Sequence, residues 1–226
     1  MKNLCFSLFF LLVLMPLTCY SASTKKQKST EDASKPTENE LAHSKAPAFV
    51  SDAPFGLKWQ MTKNELIKIG VMLNKKDSKS SATRYSAKNL PKNMNDTDDV
   101  SMIIDDEFGL VKITWISKNI TNDAFGTQGK SKYDELKEGL TKKYNMAGNS
   151  FERVGMTLFK ESDEFYQCLK YSGCGMYSTS WKSEAVDILL ELKGLSRGVG
   201  YLTIVYEHKK WNDVVDKIKN NNSEAL

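Results

Sequence analysis

The stretch VDILLELKGLSRGVGYLTIVYEH, residues 186–208, decides the fold class. Val186, Ile188, Leu190 and Leu192 alternate with Asp187, Leu189 and Glu191, and Leu202, Ile204 and Tyr206 alternate with Tyr201, Thr203 and Val205. A period of two belongs to a strand with one buried face. The runs are joined by GLSRG, so they form an antiparallel hairpin. Gly194, Gly198 and Gly200 would suit a phosphate loop only between a strand and a helix. Here they lie between two strands and read as turn residues.

Upstream, Val100, Met102 and Ile104 alternate with Ser101 and Ile103, and Val111, Ile113 and Trp115 with Lys112 and Thr114. Asp105 to Gly109 turns between them, giving a second hairpin. Further back, Phe55 to Trp59 reads as a short strand. Thr62 with Glu65 three places on makes a capping box for a helix carrying Leu66, Ile69 and Leu73. Residues 75–99 are polar and read as loop, with one strand around Tyr85. Ser131 and Asp134 open a second helix with a Tyr133, Leu136, Leu140, Tyr144 stripe, and Asn145 stops it. Val154 to Lys160 and Phe165 to Tyr171 read as strands. A last helix starts near Trp211, with Val214, Val215 and Ile218 facing inward, and dissolves in NNNSEAL. The expected fold is α+β: an antiparallel sheet with two helices packed on one face and a short C-terminal helix.

The N-terminus has Lys2, an apolar run from Leu4 to Leu17, then small residues around Ser21, Ala22 and Ser23. That is the layout of a signal peptide over residues 1–22, too short to span a bilayer comfortably. Cys19 leaves open a lipid-anchored form, although Pro16 and Thr18 depart from the usual lipoprotein pattern. Residues 23–50 are rich in Lys, Ser, Thr, Glu and Pro and read as a disordered tether. Residues 51–220 read as a single domain and 221–226 as a disordered tail. The expected location is periplasmic or secreted, with no transmembrane segment in the mature chain.

With Cys5 and Cys19 in the leader, Cys168 and Cys174 remain as an even pair in an oxidising compartment, which reads as a disulfide. Their spacing is neither that of a zinc knuckle nor of a redox Cys-x-x-Cys. His43 lies in the tether, leaving His208 as the one histidine of the domain, and no Gly-x-Ser-x-Gly elbow exists. Asp96, Asp98 and Asp99, and Asp105, Asp106 and Glu107, lack calcium-loop spacing and fall where turns favour Asp. No catalytic, metal or cofactor-binding residues are assigned, and no cofactor is expected. The net charge of +4 is spread among interspersed acids, with no phosphate-binding stripe, so nucleic acid is not an expected partner. Trp59, Trp115, Trp181 and Trp211 are the candidate interface residues, wherever the fold leaves them exposed.

The opening FGLKWQMTKNELIKIG, then FGLVKITWIS, SKYDELKEGLTKKYN and GYLTIVYEHKKW, resemble successive pieces of small, uncharacterised exported bacterial α+β proteins. Gln60 and Asn145 stand where those proteins usually have Gly. The Met-Thr-x-x-Glu helix entry is also similar to BamE-type envelope lipoproteins. The resemblance implies a compartment and a fold but no catalytic residues. Together these readings point to a non-catalytic binding protein of the cell envelope, of inhibitor, immunity or assembly-accessory type. Its partner would be another envelope or extracellular protein. A carboxylate-dependent envelope hydrolase and a lipid-anchored structural protein are the alternatives.

Overall fold

A computed structural model describes residues 52–145 and 148–224. The leader and tether lie outside the described residues. Eight strands form one antiparallel sheet: β1 Met72–Lys79, β2 Ala82–Lys88, β3 Thr97–Asp105, β4 Gly109–Ser117, β5 Asn149–Arg153, β6 Met176–Lys182, β7 Val186–Ser196 and β8 Val199–His208. Their spatial order is β1-β2-β3-β4-β8-β7-β6-β5. Two four-stranded meanders thus meet along β4 and β8, where Ile113 faces Tyr206 and Trp115 faces Ile204. The hairpin of residues 186–208 is present, with Leu190 opposite Ile204 and Leu192 opposite Leu202.

Alternation sorts the sheet into two faces. Val100, Met102, Ile104, Ile113, Trp115, Ile188, Leu190, Leu202, Ile204 and Tyr206 are buried on one. There α2, Thr127–Tyr144, adds Tyr133, Leu140 and Tyr144 to the same core. Each such aliphatic or aromatic side chain contributes roughly 1.5–3 kcal/mol on burial. The other face carries Ala82, Ile103 and Val111, which pack with Val214, Trp211 and Ile218 of α4, Lys210–Glu224. Two short helices complete the described elements: α1, Lys63–Lys68, and α3, Phe165–Lys170.

The expected α+β packing of two helices on one face is overturned by a sheet-dominated fold of eight strands with four mostly short helices. The two long helices pack in separate clusters, α2 with the main core and α4 with the Ala82–Val111 cluster. Within residues 75–99 the strand expected around Tyr85 is β2, but the stretch read as loop also holds most of β1, whose polar sequence fits an edge, and the start of β3. Phe55 to Trp59 is not a strand: Pro54–Gly56 forms a short 3-10 turn with Phe55 at φ 63°, and Lys58 makes only an isolated bridge to Asp52. Thr62 and Glu65 do form the capping box, but α1 ends at Lys68 and Leu73 belongs to β1. Residues 154–160 form no strand, and Phe165–Lys170 is helical. Asn145 closes α2 in the left-handed conformation at φ 48°. Helix α4 runs on to Glu224, into the stretch expected as a tail.

Candidate functional site

β7 is longer than its neighbour. Pairing with β6 runs from Lys182 opposite Asp187 to Ser178 opposite Glu191, while β7 continues to Ser196. Helix α3 fills the gap. Gly194 and Gly200 face each other across β7 and β8. A Cβ on Gly194 would collide with the Tyr166 backbone, and one on Gly200 with the Tyr166 ring. The two glycines therefore make a flat bed on which α3 lies against the strands.

Tyr166 is fully buried there and donates its hydroxyl to Asp123 over 2.8 Å. Asp123 also accepts the Gly129 N–H of α2 at 2.9 Å, and its own N–H donates to the Gly198 carbonyl at 3.1 Å. The buried carboxylate thus ties α2 to α3, and the backbone of the same residue ties both to the β7–β8 turn. Burial pushes its pKa up, but donation from Gly129, Tyr166 and the neighbouring α2 amides prevails and holds it below the usual carboxylate value.

At the end of α3, Cys168 and Cys174 form a disulfide, with both residues fully buried and their Cα atoms 5.1 Å apart. The bridge closes the loop Tyr171–Gly173. The segment after β5 folds back onto it: Met156 N–H donates to the Cys174 carbonyl at 2.9 Å, and the Phe159 and Tyr171 rings meet edge to face at 6.1 Å. Val154, Met156, Leu158, Tyr171 and Met176 are left between 39% and 51% exposed around this loop. An apolar cluster of this kind, beside a braced loop, is a candidate contact surface. Next to it is an open notch of about 340 Å³, lined by Lys170, Tyr171, Gly173, Met176, Lys193 and Tyr201. Lys193 is held by Glu191 at 2.9 Å. The notch offers aromatic faces, a pliant thioether and cationic groups. Its two sulfurs are bonded to each other, so they supply no nucleophile.

The structure places the tryptophans elsewhere. Trp115 and Trp181 are core residues whose indole N–H groups donate to Thr97 at 2.8 Å and to Thr141 at 3.2 Å. Trp59 is buried beside His208, ring centres 5.5 Å apart. Trp211, in the first turn of α4, is half-buried, with the Lys112 ammonium 4.9 Å above its ring. Three of the four candidate interface indoles are therefore packing residues, and none lines the notch. The notch-lining side chains that sequence reasoning missed are exposed Tyr171 and Met176 and half-buried Tyr201. Tyr201 was legible as an outward position of β8, and the Gly194–Gly200 pair was the signal that something packs closely there.

Burial and then the charge of Lys210 hold the His208 pKa below the usual histidine value. Its Nδ1 accepts the Lys210 N–H at 3.3 Å. Asp96 pairs with Lys132 at 2.7 Å, Asp99 accepts from Ser86 at 2.6 Å, and buried Asp105 accepts the Glu107 and Phe108 N–H groups in its turn. Among the described residues no group of three or more His, Cys, Asp or Glu side chains could hold a metal ion. No helix among them is long and apolar enough to cross a membrane. The disulfide-bonded pair is consistent with an oxidising compartment. No family model matches the chain, and neither a curated protein nor a solved structure matches it.

Proposed function

We propose that this chain is an exported, non-catalytic binding protein of the cell envelope, of inhibitor, immunity or assembly-accessory type, that seats a protein partner at the disulfide-loop notch. The observation that carries this reading is the group of five exposed apolar side chains around a loop stapled by Cys168 and Cys174. Aromatic and methionine side chains are the usual anchors of a protein contact. A cross-linked loop loses little conformational freedom when a partner seats on it, which favours affinity. The signal peptide and the resemblance to small exported bacterial proteins support a periplasmic or secreted site of action.

The test is capture of partners from envelope fractions by tagged mature protein. A Tyr171→Ala/Tyr201→Ala variant, altered at side chains that are not core, keeps its thermal midpoint and loses capture. His208→Ala keeps both. Undiminished capture by the double tyrosine variant would remove the notch as the binding site.

A further inference from the structure

We infer that β5 is a self-pairing edge, through which two copies of the chain join into one continuous sheet. The two edges of the sheet differ. β1 is defended: its register breaks between Lys75 and Asp77, and Lys75, Lys76 and Lys79 are exposed along it. Bulges and lysines are the usual devices that stop an edge from pairing. β5 has neither. Its sequence is NSFER, its register against β6 is unbroken from Asn149 to Arg153, and it carries no proline or lysine. Among the described residues its backbone hydrogen bonds go only to β6.

The occupant that fits is a second copy, because the strand is complementary to itself. An antiparallel pair centred on Phe151 sets Phe151 opposite its own copy, Ser150 opposite Glu152, and Asn149 opposite Arg153. Each charged side chain then meets a neutral hydrogen-bonding one, and no like charges are opposed. The central pair is aromatic on aromatic, a favourable cross-strand combination. Phe151 is 42% exposed, so the pairing covers apolar surface. Ser150 and Glu152 bond to Thr179 and to Lys137 of α2, on the side away from Phe151. The register centred on Phe151 therefore keeps the α2 layers of both copies on one side of the joined sheet. The contact is isologous and closes on itself as a two-fold dimer.

Sedimentation of the mature chain over a concentration series tests association, and single cysteines test register. Opposed residues of an antiparallel pair have Cα atoms about 4.5–5.5 Å apart, within disulfide reach. Phe151→Cys links to its own copy under mild oxidation. Ser150→Cys and Glu152→Cys do not self-link, since each lies roughly 8 Å from its copy, but they link to each other when mixed. Phe151→Lys, which opposes two ammonium groups, raises the dimer dissociation constant at least about tenfold. A chain monomeric at every concentration overturns the inference. So does a dimer indifferent to Phe151→Lys, or one that cross-links in another register. Capture of a foreign strand on β5 by a monomeric chain overturns it too. The notch reading is unaffected by any of these outcomes, because Tyr171 and Tyr201 are untouched.

Discussion

Removing the Asp123 carboxylate should loosen α2 and α3 at once, while its backbone bond to the β7–β8 turn stays. Asp123→Ala deletes the acceptor for the Gly129 N–H and the Tyr166 hydroxyl, at 2.9 and 2.8 Å, both in buried surroundings. Losing a helix-start acceptor costs roughly 0.5–2 kcal/mol. Stranding a buried donor costs roughly 1–3 kcal/mol more. We expect a loss of about 3 kcal/mol in urea titration, or about 6–12 °C in thermal midpoint for a domain of this size. Asp123→Asn, which keeps one acceptor oxygen, should lose about half as much. The pH dependence has a definite sign. The folded carboxyl is held below its ordinary value, so its contribution is complete above the unfolded value near 3.9 and fades as pH falls through the folded one. The gap between wild type and Asp123→Ala should therefore be constant at neutral pH and narrow below about pH 4. A loss under about 1 kcal/mol, or a gap that does not narrow in acid, would refute the tie we ascribe to this residue.

Four further outcomes follow from the same geometry. The double Cys168→Ser/Cys174→Ser variant should fold but lose about 2 kcal/mol, since the ring is short, and its loop should become the first site of limited proteolysis. Gly194→Ala should cost about 1–3 kcal/mol by overpacking and speed amide exchange in Phe165–Lys170, because the new Cβ meets the Tyr166 backbone. Gly139→Ala, in α2 with nothing within 4 Å of its Cβ, should instead stabilise by about 0.5–1 kcal/mol. His208 is disfavoured as a cation in the fold, so stability should fall as pH drops below about 6.5. His208→Gln should flatten that slope in thermal melts at pH 5 to 7, and an unchanged slope would count against the burial argument.

What was legible in the sequence was whatever one-sided burial writes into it. The β3–β4 and β7–β8 hairpins announce themselves because one face of each is aliphatic and the turns carry Asp or Gly. The Thr62–Glu65 box is readable because both its bonds are local, within three residues. β1 and β2 were not legible as a pair, because β1 is an edge whose exposed, lysine-rich surface leaves no apolar period. Phe165–Lys170 has the alternation of a strand, yet it coils. What decides it is remote: the Gly194–Gly200 bed and the Asp123–Tyr166 bond, 43 residues apart in sequence. The notch was invisible for the same reason, since it exists only where β6 stops short of β7. The tryptophans misdirect because their size makes them attractive as anchors, while the same size makes Trp115 and Trp181 the natural filling of the core.

The meeting of the two meanders along β4 and β8 has a consequence for biogenesis. β4 is complete by Ser117, but its second neighbour ends at His208, 91 residues later. During synthesis, the N-terminal half therefore waits with Ile113 and Trp115 on an unpaired edge. Such a strand is an aggregation hazard until its partner arrives. The chain should consequently need a holding chaperone until it is complete. A product truncated before Val199 should precipitate rather than persist as a half-domain, and the rate of folding should be limited by the docking of the last strand.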